Sequence, residues 1–589
     1  MICSTASRNL AFLFFALIPL SLAEEIPNPT IPSRRSCRCL PSQPCWPSEA
    51  AWSSLNQAVG GRLVTTKPAA FSCHDPHYDS TACHQIEKGY FDVLWRQEQP
   101  GAMQRANWEV FGSRGCQGLN RTTPCFQGAV PLYSVNVTNV EDIQTAVRFA
   151  SQHNIRLVIR NTGHDFIGRS TGPASLSVWV HHMKSIEIDQ QFVPLGAMNG
   201  TKGTGAIILG AGVQWIDAYK FADEHNVTVV GGTESTVGTS GGYCQGGGHG
   251  ILSPKHGLCV DNVLQYKVVT ADGSLKIANA YQNTDLFWAL RGGGGGTFGI
   301  VAEAVYKTHP PLAGFNSANF MIHYNKTETR RSILNSFLSY HKEWYNGGWA
   351  GYGIVQTDVL MFQFYLPDQD ISVANASIAA FFDHARSFED VKVEGETKHY
   401  ASFYAGYKDT QTTENRGAGS NFIMGSRLIP SRNFDSPRAV SELTDALLEV
   451  QERLLPGNPT GTFVTNLVAG GAVANGSSVD TSVVPAWRDT LVHIWTAATW
   501  GDDATLAEQD ARSRTITATT GLLRKLTPGS GAYINEADPN EPDWQATFFG
   551  KNYPRLKAIK NKVDPKGLFV CRHCVGSEDW SQDFTCPRR

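Results

Sequence analysis

The sequence predicts an α+β protein, on three observations. Between residues 126 and 310, strand-like and helix-like stretches alternate within the length of one domain. Glycine-rich turns stand at the joints of that region. From 311 to 540 the glycine loops thin out, and longer strand patterns keep company with amphipathic helices, as in a separate substrate (cap) domain built on a sheet covered by helices.

The elements follow in chain order. "LAFLFFALIPL" comes after Arg8 and before the small residues "SLA" ending at Ala23, which is the pattern of an export signal over residues 1–23. That stretch is short for a bilayer and contains Pro19, and no later segment holds about 18 unbroken apolar residues, so a secreted protein with no membrane partner is expected. Residues 24–125 are a Cys-, Pro- and Trp-containing extension expected to be loop-rich and stapled. "NVEDIQTAVRFASQHN" puts Ile143, Val147 and Ala150 at helical spacing, with Glu141 and Asp142 where they complement the helix dipole. "IRLVIRNTG" reads as a buried strand entering a glycine turn, "SLSVWV" and "GAIILGAG" as further strands, and "QYKVVTADGSLKIA" as two strands hinged on Asp-Gly. "WIDAYKFADEHN" is a helix between strands, and "DLFWALRGGGGGTFGIVAEAVYKTHP" a helix, a five-glycine loop and a strand ended by prolines. In the cap, "TGTFVTNLVAG" and "TLVHIWTAATW" read as strands, while "AVSELTDALLEVQERLL" is a helix with Val440, Leu443, Leu447 and Leu448 on one side.

At 589 residues the chain exceeds one compact core, which implies two or more domains. With 41% hydrophobic and 17% charged residues it is a folding chain. A net charge of −3 without a basic stripe argues against a nucleic-acid partner, because phosphate backbones need clustered Lys and Arg. Sequons at Asn120, Asn136, Asn199, Asn226, Asn325, Asn375 and Asn475 point to N-linked glycans. Cys37, Cys39, Cys45, Cys73, Cys83, Cys116 and Cys125 crowd one end and Cys571, Cys574 and Cys586 the other, an even set suited to disulfides in an oxidising compartment. Zinc is the rival reading of "CRHC", but the spacing does not repeat, and no metal site is expected. Cys244 and Cys259 are expected to be free thiols.

Three glycine-rich segments lie inside 126–310: "RNTGHDFIGRSTG", "GGTESTVGTSGGYCQGGGHG" and "RGGGGGTFGIV". Runs of glycine let main-chain N–H groups converge on an anion, so a large phosphorylated cofactor is the leading expectation. The Walker loop is excluded, since no segment ends in Gly-Lys-Ser/Thr. "GAGVQW" misses the dinucleotide fingerprint because Trp215 stands where the third glycine belongs.

Taken in order, "RNTGHD", "TVGTSGGYCQGGGHG", "VDNVLQYKVVTADG", "FWALRGGGGGTFGIV" and "NYPRLKAIKNKVDPKGLF" resemble the berberine bridge enzyme-like branch of the vanillyl-alcohol oxidase flavoproteins. The likeness covers about 126–310 and the last fifty residues. It implies a two-subdomain PCMH-type FAD-binding domain, a cap, and a C-terminal segment, 541–589, that returns to the FAD domain. The first loop, Arg160, Asn161, Thr162, Gly163, His164 and Asp165, would cradle FAD, with His164 bonded to the 8α carbon of the flavin. The second would contribute Thr236, Val237, Gly238, Gly241, Gly242, Cys244, Gly247 and Gly248, followed by Asp261 and Asn262, then Gly299, Ile300 and Val301, and finally Asn552 and Tyr553. Where many relatives carry a second, cysteinyl attachment, this chain has Glu234, so a single tether is expected, with Cys244 left open as another sulfur donor. Val237 matches the position that governs oxygen access, and its small branched side chain is the oxidase-like choice.

The resemblance implies hydride transfer from a small organic substrate to FAD, a base taking the substrate proton, and reoxidation by O2 to hydrogen peroxide. In "GAYINEAD", Tyr533 is the first candidate for proton handling, and Glu536 is a base if desolvated or else an ordinary loop glutamate. In strand geometry Tyr533 and Asn535 share one face and Glu536 takes the other. His249 and His256 read as structural. A dehydrogenase with another acceptor, and a non-catalytic glycoprotein with a degenerate flavin domain, are the competing readings. A sugar, a phenolic alcohol and a secondary metabolite all stay open as substrate.

Overall fold

The computed structural model describes residues 35–410, 417–476 and 479–588; the signal expected over 1–23 lies outside the described residues. Among the described residues three sheets organise the α+β fold. The first has the strand order Leu63–Thr65, Tyr133–Asn136, Ser175–Trp179, Arg156–Arg160. Its last three strands are parallel. Parallel neighbours need a crossover, and helix Val140–Gln152 is the one that leads from Tyr133–Asn136 towards Arg156–Arg160. Asn139 caps this helix by accepting from the Asp142 N–H, and Ile143, Ala146, Val147 and Ala150 form its buried face. Ser175–Trp179 has a strand on each side and is buried at every position.

The second sheet is antiparallel, in the order Ile186–Phe192, Thr204–Gly210, Ile300–Lys307, Val263–Val269, Leu275–Asn279. The expected Asp-Gly turn joins its last two strands: Thr270 donates to Asp272 at 2.7 Å, and Gly273 holds φ +73°. The third sheet has seven antiparallel strands, Lys392–Tyr400, Phe315–His323, Val359–Pro367, Ala350–Val355, Phe463–Leu467, Thr490–Trp500 and Asn421–Pro430 in spatial order. Helices Thr327–Asn346, Ile371–Arg386, Pro437–Leu454 and Leu506–Leu526 contribute to a core with one of its faces. Strand alternation explains the packing: Phe362 and Phe364, two residues apart, stack at 4.2 Å, and Phe362 meets Trp344 edge-on at 5.2 Å.

The extension is stapled and loop-rich as expected, with Cys39–Cys45, Cys73–Cys83 and Cys116–Cys125 as the staples. It holds helices Glu49–Ala58, Ser80–Gly89 and Val93–Gln97, each begun by a capping oxygen on Ser48, Asp79 or Asp92. Strand Leu63–Thr65 joins the first sheet, and Trp52, Leu55 and Val59 enter the same core as Val135 and Ile143. Cys37–Cys586 ties the two ends of the described chain together, and Cys571 pairs with Cys574. The expectation of free thiols at Cys244 and Cys259 is overturned. The chain doubles back after the second glycine segment, where the Cys259 N–H donates to the Gly248 carbonyl at 2.8 Å, and the two cysteines pair.

Phe362 is fully buried among aromatic rings. Phe362→Ala should cost about 3–5 kcal/mol of stability, read as a lower urea midpoint with an unchanged m-value.

Candidate active site

The parallel strand Arg156–Arg160 ends in the first glycine segment, where Gly163 takes φ +85°, a conformation that side chains disfavour. The turn carries His164 into a cavity. Ile159 of the first sheet, Val180 directly after its strand Ser175–Trp179 and Val301 of the second line it, so it lies between those sheets. Asn161, Thr162, Gly163, His164 and Asp165 line the cavity with Val237, Gly238, Gly241, Gly242, Gly299 and Val301. The second and third glycine segments touch through bare backbone: a Cβ on Gly295 would stand 2.6 Å from the Gly242 Cα.

Tyr533, Asn535 and Glu536 line the same cavity. The strand geometry expected for "YINE" is corrected here, because Ile534–Glu536 is a single 3-10 turn, and a turn of that pitch lets all three side chains reach one wall. The Tyr533 hydroxyl donates to the Tyr243 carbonyl at 3.0 Å and receives the Asn535 amide at 2.7 Å. Burial, followed by the nearby Glu536 charge, pushes the Tyr533 phenol far above its ordinary range, so it is a proton donor at neutral pH. Glu536 Oε2 stands 3.5 Å from His249 Nε2 and 3.6 Å from His493 Nδ1. Burial raises its pKa, but His249 and then His493 outweigh that, and the carboxyl lies below the usual range. His493 is pushed down to about 3, chiefly by burial. It arrives from the seven-stranded sheet, where its register partner Asn466 holds Nδ1 at 3.1 Å. The imidazole of His164 is pushed down to about 4, first by burial, with Glu234 opposing and Arg105 adding to the shift, so it is neutral at physiological pH.

The other residues singled out in the sequence stand elsewhere. Arg160 is buried and donates to the carbonyls of Gln99 and Arg96 at 2.5 and 3.0 Å, holding the extension. Thr236 reaches the site through His164, whose Nε2 is 2.7 Å from its Oγ1. Gly247 and Gly248 accept from Val260 and Cys259 in the turn behind the second segment. Cys244 is fully buried in its disulfide, which removes it as a sulfur donor. Asp261 pairs with Arg488 at 2.7 Å, Asn262 holds the carbonyls of His256 and Leu258, and Ile300 packs in the core. Asn552 donates to the Val483 carbonyl at 3.0 Å and Tyr553 to Glu578 at 2.6 Å. The C-terminal segment braces the five-glycine loop from behind instead, with Lys560 donating to Thr297 O and Phe569 O, both at 2.6 Å.

Sequence reasoning missed Arg169, His493 and Gln245 and took His249 as structural; only the glycine context of Arg169 and Gln245 offered a signal. Arg169 donates to Asn535 at 2.6 Å, while its Nη1 has no hydrogen-bond partner among the described residues, nor do Asn161 Oδ1 and Gln245 Oε1. Buried polar atoms of both kinds call for a ligand or water that donates and accepts. With the bare amides of the glycine loops, they fit a dinucleotide that carries a polar heterocycle.

Residues 131–279 match the family described as FAD binding domain, and residues 532–576 the family described as berberine and berberine like. The chain is 40% identical, over 94% of its length and 96% of the relative's, to an uncharacterised FAD-linked oxidoreductase of Arthroderma benhamiae. It is 34% identical to the FAD-linked oxidoreductase patO of Aspergillus clavatus, over 92% of this chain and 93% of that one. The VAO-type flavoprotein MtVAO615 of Myceliophthora thermophila C1 superposes with a TM-score of 0.85 at 32% identity, covering 94% of this chain and 100% of that one. The glucooligosaccharide oxidase of Acremonium strictum, whose FAD is described as 6-S-cysteinyl, 8α-N1-histidyl, shares the fold at a TM-score of 0.61 and 19% identity, over 76% and 92%.

Gly295→Ala should drive the two glycine segments apart at a cost of about 1–3 kcal/mol. The purified protein should then carry less FAD, read as a lower flavin-to-protein absorbance ratio at unchanged far-ultraviolet circular dichroism.

Proposed function

This chain belongs to the berberine bridge enzyme-like FAD-linked oxidoreductases, with the PCMH-type FAD-binding fold, and on that footing we propose an exported oxidase that uses FAD joined to His164 by a single bond. The observation that carries this reading is one cavity in which His164 of a glycine loop faces the same space as Glu536. Bound FAD would supply the hydride acceptor for the substrate, with O2 as the oxidant that restores it and hydrogen peroxide as the product.

The chain's own groups do the rest. Glycine main chain and Arg169 hold the cofactor. Glu536, whose carboxyl is held below its usual range with His249 as its chief partner, takes the proton from the substrate hydroxyl or amine. The sequence places Tyr533 before Glu536 as base; the environment of the two favours the reverse, because the phenol is held protonated and the carboxylate is held charged. Tyr533 then orients the substrate as a donor. Val237 lines the cavity with a side chain small enough to leave a path for oxygen. A glutamate at 234 and a disulfide at Cys244 support a single attachment. The substrate is a small organic alcohol, sugar or secondary metabolite that reaches Glu536.

Export is supported by six disulfides among the described residues and by sequon asparagines that are exposed at all positions but Asn136, which is half-buried. No helix among the described residues is long and apolar enough to cross a membrane.

Acid precipitation should leave the yellow colour on the wild-type polypeptide and release it from His164→Ala. Air should reoxidise dithionite-reduced enzyme with one peroxide formed per flavin. Slow reoxidation without peroxide would defeat the oxidase assignment in favour of a dehydrogenase. Glu536→Gln should retain FAD but slow flavin reduction by about 10²–10⁴-fold. Since Glu536 is the charged base and its pKa is depressed, the wild-type rate should hold through neutral pH and fall only as acid protonates the carboxylate, below the ordinary glutamate value of 4.5. The residual rate of Glu536→Gln should lack that acid limb.

A further inference from the structure

We propose that Glu234 is the proton acceptor for the attachment of His164 to its own cofactor, acting through the hydroxyl of Thr236. This rests on the covalent reading above. Thr236 Oγ1 lies 2.7 Å from His164 Nε2 and donates to Glu234 Oε1 at 3.1 Å. A threonine hydroxyl has one hydrogen, and a carboxylate has none to give. The hydrogen therefore goes to Glu234, and the Thr236 lone pair must receive an N–H from His164 Nε2. That sets the tautomer: Nε2 carries the proton, and Nδ1 keeps a lone pair with no hydrogen bond to the described residues, on a side chain that lines the cavity. The Thr236 N–H also points to Glu234 Oε1, at 3.5 Å, and Thr236 and Glu234 lie on one tight turn of the second glycine segment.

A bond forms between His164 Nδ1 and the 8α methyl carbon of the flavin, and one C–H bond of that methyl breaks, its proton leaving to solvent. The alkylated ring would be a cation, so the Nε2 proton passes to Thr236 Oγ1 as the Thr236 proton passes to Glu234. Two electrons go to the flavin and on to dioxygen, which takes up two protons and leaves as hydrogen peroxide. Glu234 has the Arg105 guanidinium as its charged neighbour and the neutral imidazole of His164 beside it. Its role is that of a base in a single maturation event, separate from Glu536 in turnover.

The test compares full-length wild type with Glu234→Gln, Thr236→Val and Glu234→Asp, all produced under riboflavin limitation and then incubated in air with FAD. Covalent flavin is followed by in-gel fluorescence and by the mass of the peptide containing His164; non-covalent FAD and thermal midpoint are recorded alongside. Glu234→Gln and Thr236→Val should bind FAD yet attach it about 10²-fold more slowly, and Glu234→Asp should restore part of the rate. Attachment at the wild-type rate in Glu234→Gln would overturn the relay while leaving the tether intact. Absence of the adduct in wild type would instead overturn the tether on which the relay rests.

Discussion

Everything in this molecule depends on main chain approaching main chain without side chains in between. A Cβ on Gly250 would stand 1.9 Å from the Gly231 carbonyl oxygen, and one on Gly292 would stand 2.0 Å from the Val483 nitrogen. These contacts close the second glycine segment on itself and tie the third to the loop that precedes strand Thr490–Trp500. Their entropic cost in the unfolded chain is high, and two kinds of support offset it. The Cys244–Cys259 bond pins the second segment, and Lys560, itself paired with Asp564 at 2.7 Å, holds the third from behind. The result is a wall of backbone amides that a diphosphate can approach closely.

On that wall the fold keeps two titratable groups in opposite states. His164 is desolvated and neutral, which leaves it a nucleophile. Glu536 meets two imidazoles and stays charged. Separating the states of neighbouring groups by environment is how one cavity assigns distinct acid–base tasks at a single pH. The separation is a product of assembly. Burial comes from the two smaller sheets, and His493 comes from the seven-stranded one. The Cys-rich extension adds its share, since Gln104 donates to the Thr162 carbonyl at 3.0 Å and Arg160 is anchored on carbonyls 96 and 99.

Much of this was legible in the chain itself. The helical spacing of Ile143, Val147 and Ala150 became the buried face of Val140–Gln152, and "ADG" became a hairpin turn. The three glycine segments proved to surround one cavity with His164 in it. The extension was harder to read. Its helices are five to ten residues long, too short to announce themselves by periodicity, and the first of them owes its order to packing against the first sheet.

What the sequence alone determined is local: which stretches are helix or strand, where the backbone is bare, and which histidine sits in a turn with little else to do. Those properties are written in neighbours a few residues apart, where spacing and steric freedom act directly. What only the tertiary structure decided is who meets whom across long separations. Glu536 acquired a carboxyl held below its usual range because residues 249 and 493 converge on it, Cys244 was taken into a disulfide because Cys259 folds back onto it, and Asn552 and Tyr553 ended on partners outside the cavity lining. A residue's chemistry follows the dielectric and the charges around it, and those are set by strand pairing and sheet packing that no window along the chain contains.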